Sequence, residues 1–269
     1  AWLQQPNMAW PGTYPSGGPL PQVHDVWRAG APSCDFFAPD IYIPQFEDTC
    51  RRWIRGSNPL FIPETGMNAA NAFIAIGRYG AFGYSPFAIE RTAGSDTPLA
   101  AAYRLLADLS PVILAHQGKD SMAVVRMNEG DAPQKITLGS YTLELHYLGA
   151  RRAPIAPQPA LPGTPARGTA PPPGGAQPGG APASSEAVLL VIASGPDEYY
   201  MAATNGFRIN IAAATPGPPR VGLGDVQVGR FVDGRWRVLR QLGGDDTGQG
   251  EILSIRPNTV QRVTLYRYR

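Results

Sequence analysis

Short apolar runs alternate with helix-length amphipathic ones through the first hundred residues, and this alternation restricts the architecture more than any other feature of the chain. Residues 36–43 read as a buried strand, 46–55 as a helix, 59–64 as a strand, 68–78 as a helix and 80–84 as a strand. A βαβαβ series requires parallel strands joined by helical crossovers. The strands share one plan, an apolar body with a polar or aromatic tip. Phe36-Phe37-Ala38-Pro39 leads to Asp40 and Tyr42, Phe61-Ile62-Pro63 leads to Glu64, and Ala81-Phe82-Gly83 leads to Tyr84. Glu64, delivered into a Gly-containing turn, is expected to belong to a row of functional strand ends.

The next helix carries its own punctuation. Thr97 can cap it, Pro98 suits its first position, and Leu99, Ala102, Tyr103 and Leu106 form one apolar face. Ser110-Pro111 is expected to restart it in a new direction, and Gly118 to stop it. Beyond Asp120 the pattern changes to short strands rich in Val, Ile, Leu, Tyr and Thr, with Asn205-Gly206 and Asp233-Gly234 as two-residue hairpin turns. Strands are expected at 122–127, 142–148, 187–193, 198–204, 207–211, 226–232, 235–239 and 260–268. An antiparallel β-sandwich is their natural packing solution. The expected division is therefore 1–119 for the α/β part and 120–269 for the β part. Residues 153–186, with ten of the 29 prolines and no aromatic residue, cannot build a core and read as a flexible insertion.

A chain of 269 residues with 43% hydrophobic content can pack one large or two ordinary domains. The 23 basic and 21 acidic side chains leave a net charge of +2, which points away from a nucleic acid or a polybasic membrane surface. The apolar run 187–193 is far short of a membrane span, so no membrane partner is expected. Cys34 and Cys50 read as free thiols, although a bridge between them is geometrically open. His24, His116 and His146 lie on unlike elements without metal-ligand spacing, and Gly244-Asp245-Asp246-Thr247-Gly248 lacks the alternating oxygen ligands of a calcium loop. No metal and no cofactor are expected. Gly83-Tyr84-Ser85-Pro86-Phe87 begins like a serine-hydrolase elbow but lacks its final glycine.

Four ordered blocks carry a family resemblance: Tyr14-Pro15-Ser16-Gly17-Gly18-Pro19-Leu20-Pro21, Ala38-Pro39-Asp40-Ile41-Tyr42, Asn58-Pro59-Leu60-Phe61-Ile62-Pro63-Glu64 and Gly80-Ala81-Phe82-Gly83-Tyr84-Ser85-Pro86-Phe87. Together they resemble bacterial family-35 glycoside hydrolases, the β-galactosidases of clan A. Gly195-Pro196-Asp197-Glu198, the run 229–236 and the run 262–268 resemble the uncharacterised β domain that accompanies those enzymes. The resemblance implies the C-terminal part of a (β/α)8 TIM barrel, about strands six to eight, followed by the β-sandwich. It also implies that Glu64 is the nucleophile of a retaining hydrolase and that Tyr42 stands against it.

The family's acid/base Glu, at the end of strand four, would precede Ala1. Retaining hydrolysis needs two carboxyl groups about 5–5.5 Å apart, and neither Asp40 nor Glu90 matches the missing position. The chain is therefore expected to be a fragment, inactive alone, whose partner is the N-terminal barrel half and whose substrate is a β-galactoside or oligosaccharide. By the same analogy its setting is periplasmic or extracellular. Around the site, Asp40 contacts sugar hydroxyls or caps its loop, and Tyr84 floors the sugar pocket or only packs against it. Trp10, with Asn7 in the same loop, is the best candidate for sugar stacking, ahead of Trp2 and Trp27, with core packing as the alternative. A noncatalytic carbohydrate-binding or scaffold protein with a vestigial partial barrel is the other reading of the whole chain.

Overall fold

Four strands run parallel, side by side, in the order of their appearance: β1 (Trp2–Leu3), β2 (Asp40–Ile41), β3 (Phe61–Thr65) and β4 (Gly83–Pro86). The structure is a computed structural model that describes residues 2–3 (backbone), 18–92, 97–149, 186–250 and 252–269. The insertion expected at 153–186 lies outside the described residues, apart from Glu186. Helices α1 (His24–Gly30), α2 (Phe46–Trp53) and α3 (Ala69–Tyr79) fill the crossovers. Both ends of α3 have a local cause. The Asn68 side chain accepts from the Asn71 backbone N–H at 3.1 Å to begin α3, and Gly80, at φ 66°, ends it in the left-handed region.

Helix α4 (Pro98–His116) starts where the sequence places it, with the Thr97 hydroxyl accepting from the Ala100 N–H at 3.2 Å. It does not restart at Pro111. The helix runs through that proline, because the backbone bond lost there lies on the exposed side while Leu109, Val112 and Ile113 continue the buried stripe. Its 19 residues are long and apolar enough to cross a membrane by length and composition; here its buried face packs on α3 and on the β half of the molecule.

The rest is antiparallel. Strands β5 (Met122–Asn128), β8 (Glu186–Ala193), β9 (Glu198–Ala203), β14 (Val260–Tyr268), β11 (Arg220–Val232) and β12 (Arg235–Leu242) form a six-stranded sheet in that spatial order. Strands β6 (Gln134–Leu138), β7 (Tyr141–Gly149), β10 (Gly206–Ala213) and β13 (Leu253–Ile255) form a four-stranded one. Strands β6 and β13 are additions to those expected from the sequence, and β11 begins six residues earlier. The glycine-rich segment 244–250 is a 3₁₀ connection between β12 and β13, so it joins the two sheets.

Two apolar clusters follow from this layering. One lies between the antiparallel sheets and holds Leu143, Leu145, Leu189, Val191, Phe207, Val263 and their neighbours. The other joins α2, α3, α4 and the parallel sheet to the opposite face of the six-stranded sheet, through Val124, Val188, Leu190, Ile192, Tyr200, Ala202 and Val260. One continuous core thus crosses residue 119. An ion-pair network accompanies it: Glu47 on α2 meets Arg78 on α3 at 2.5 Å, and Arg126 on β5 meets Glu186 on β8 at 2.8 Å and Glu47 at 3.7 Å.

Candidate active site

Strand β3 is irregular where it matters. Ile62 pairs with Tyr84 and Thr65 with Pro86, so two residues, Pro63 and Glu64, stand against Ser85 alone. This is a bulge, with a proline that has no N–H to donate sitting inside it. Ile62 and Thr65 both point to the helix-covered side, and the Thr65 hydroxyl donates to the Ile41 carbonyl at 2.7 Å. With two residues between those two buried ones instead of one, Glu64 is turned to the opposite face of the sheet.

On that face it meets Tyr42, whose hydroxyl donates to Glu64 Oε1 at 2.7 Å. Asp40, two residues before Tyr42, is the direct register partner of Glu64 across β2 and β3. Partial burial, reinforced by the Glu64 charge, raises the Asp40 carboxyl above its usual range. Burial and then the bond to Glu64 push the Tyr42 phenol upward, so it remains a protonated donor. A half-buried carboxylate thus holds one phenolic hydrogen bond and keeps its second oxygen for other partners.

Tyr84 takes the opposite side. It is 5% exposed, packs against Phe46, and donates its hydroxyl to the carbonyls of Asn68 at 2.9 Å and Gly66 at 3.1 Å. The Tyr103 hydroxyl in turn donates to the Tyr84 carbonyl. Of the two roles left open for Tyr84 in the sequence, its position is that of packing: it braces the turn that follows Glu64 from beneath. Trp27 lies on α1, 40% exposed. Trp10 and Asn7 fall outside the described residues.

Two features were missed in the sequence. Asn58, 2% exposed, accepts from the Phe37 N–H at 2.9 Å and donates to the carbonyls of Phe37, Trp53 and Pro59 at 2.9–3.1 Å, tying the lead-ins of β2 and β3 together. A buried asparagine gives no periodic signal, although its place just before an apolar strand could have suggested a turn role. The second is an aromatic trio at the other end of the parallel strands. Phe61 stacks on Phe82 with centroids 5.1 Å apart, and Phe36 meets Phe82 edge-on at 5.3 Å. Gly83 makes this possible, since a Cβ there would stand 2.5 Å from the Phe61 ring.

The remaining candidates behave as structural groups. Cys34 is exposed and Cys50 buried, both free, and burial pushes the Cys50 thiol up to about 12. His116 Nδ1 lies 2.8 Å from Ser121 Oγ, and His146 Nε2 lies 3.5 Å from Glu144. Asp246 is taken up by Arg240 at 2.7 Å and Arg256 at 2.5 Å. Among the described residues, no group of three His, Cys, Asp or Glu side chains could hold a metal ion.

No curated protein matches the chain significantly. Residues 99–254, from the first turn of α4 to β13, match a family described as a domain of unknown function, DUF5597. That stretch is more than half of the 269 residues and takes in α4 together with most of both antiparallel sheets. The chain therefore belongs to the DUF5597 family.

Proposed function

We propose that the chain is the downstream part of a retaining glycoside hydrolase that releases terminal β-galactosides, with Glu64 as its nucleophile. The observation that carries this reading is the Tyr42–Glu64 hydrogen bond at the C-terminal end of a parallel sheet, on the face opposite the helices. There the Glu64 oxygen attacks the anomeric carbon and the glycosidic bond breaks. The leaving oxygen takes a proton from a second carboxyl group, which then draws a proton from the water that releases the sugar. Tyr42 orients the attacking carboxylate and stabilises it before attack.

The second carboxyl group and the rest of a (β/α)8 barrel are assigned to a preceding segment or partner chain. Parallel sheets are normally covered on both faces. Here the helices cover one face, and the chain leaves Phe36, Tyr42 and Phe82 between 37% and 57% exposed. An extracytoplasmic setting and the absence of a cofactor are part of the same reading. A noncatalytic carbohydrate-binding or scaffold protein is the second reading, favoured by Asp40 being the carboxyl that faces Glu64, on the adjacent strand, rather than one across a barrel mouth.

The experiment begins with the coding sequence upstream of Ala1. An in-frame extension with four more βα units and a strand-ending Asn-Glu pair supports the enzyme. In the protein so completed, Glu64→Ala is expected to abolish hydrolysis of an aryl β-galactoside while the melting temperature holds. Undiminished turnover by that variant would refute the assignment.

A further inference from the structure

Strand β14 alternates strictly. Val263 and Leu265 enter the core between the two antiparallel sheets, and Val260 enters the helix-side core. The face of Val260 continues through Arg262 and Thr264 to Tyr266 and Tyr268, where the rings emerge 52% and 43% exposed. Their centroids are 5.7 Å apart and their planes 37° from parallel, tilted rather than stacked. Tyr266 lies across Gly222, its direct partner on β11: a Cβ there would meet the ring at 2.4 Å from Cζ and 2.6 Å from the hydroxyl oxygen. Its inner face rests on bare backbone. Tyr268 faces its own cross-strand partner, Arg220, whose guanidinium carbon is 6.0 Å from the ring centroid.

We propose that Tyr266, Tyr268 and Arg220 form a binding strip for a neutral oligosaccharide, with consecutive pyranose rings laid on the two tyrosines. The chemistry fits a sugar. The axial C–H face of a pyranose is apolar and weakly positive, and it complements the negative face of a phenol ring. Two hydroxyls, with the Arg220 guanidinium that lies over one face of Tyr268, supply donors and acceptors for a hydroxyl-rich partner. Strand β14 is paired by β11 along the stretch that carries both tyrosines, whereas β9 pairs it only from Val260 to Thr264; a peptide added there as a strand would bind through backbone and would not need the two rings. That the sugar is galactose rests on the reading given for Glu64; that a sugar binds here rests on the two rings.

Isothermal titration of the 269-residue chain with β-1,4-linked galactotetraose tests it. Tyr266→Ala and Tyr268→Ala are each expected to weaken binding about tenfold, and Tyr266→Phe to stay within about twofold, because the ring is kept. Gly222→Ala keeps both tyrosines but pushes Tyr266 off its seat and is expected to weaken binding too. Glu64→Gln is expected to leave this binding unchanged, and melting temperatures of all variants report that the fold holds. Binding abolished by Glu64→Gln but untouched by the tyrosine variants overturns the strip and leaves the Glu64 assignment standing. Tyrosine-dependent binding of cellotetraose, with none of galactotetraose, supports the strip and overturns galactose. Absence of binding to both sugars overturns the strip.

Discussion

His24 shows what one residue contributes and what it costs. It sits 5% exposed between Phe37 and Trp53, with ring centroids 5.2 and 5.0 Å away, and neither ring nitrogen has a well-formed hydrogen bond among the described residues. Burial, and then the nearby Arg28 and Arg55, lower its pKa from 6.5, against an opposing pull from the Pro19 backbone and Asp25. The unfolded chain therefore binds a proton that the folded chain refuses, so the full stability is present above about pH 6.5 and declines as pH falls below it. His116, lowered by burial and by Lys119, acts in the same direction. Urea unfolding at pH 7.5 and pH 5.5 is expected to show a loss at the lower pH that His24→Phe reduces; an identical loss in that variant counts against the assignment.

At the scale of elements, the site depends on how β2 and β3 are fastened. Observed strand β2 is only two residues long, Asp40–Ile41, although the sequence suggests eight. What holds the rest of that segment in place is Asn58 rather than a ladder. Asn58→Ala leaves the Phe37 N–H and the carbonyls of Phe37 and Trp53 buried without that partner, at a cost of about 3 kcal/mol. Denaturant titration is expected to show that loss, whereas a change within experimental error would mean that water replaces the amide. The bulge at Pro63-Glu64 is the second fastening. Strand alternation read along the sequence places Glu64 with Ile62 on one face, and the irregularity separates them. Tyr84 stays open between pocket floor and packing in the sequence for the related reason that a strand tip can face either layer. The residue types at these tips were legible; which side each faces was not.

The whole molecule does not divide where the composition changes. Strand alternation, hairpin turns and helix caps made nearly every long element legible, because those signals are local. The three-residue strand β13 carries too few residues for a periodic pattern, and β6 and α1 were passed over. The core shared by α3, α4 and the six-stranded sheet involves residues far apart in the chain, such as Gly77, whose missing Cβ admits the Val124 side chain at 2.5 Å. A chain starting at residue 120 strips the helix layer from Val188, Leu190, Ile192 and Tyr200. It is expected to aggregate or melt well below the 269-residue chain, whereas one starting at residue 97 keeps α4 over part of that face. Equal melting temperatures for the two shortened chains would show that α4 adds nothing to the β half.

The sequence by itself determined the order and type of the principal elements and the residues that could do chemistry, Glu64, Tyr42 and Asp40 among them, since periodicity, capping and turn residues act over a few positions. Only the tertiary structure decided which of these groups meet. The Tyr42–Glu64 bond spans 22 residues and needs a bulge to aim it, Tyr84 falls on the buried side, and Tyr266 and Tyr268 stay exposed at the far end of β14. Contact between distant residues depends on register and on what covers each face, and neither is written in any short stretch of chain.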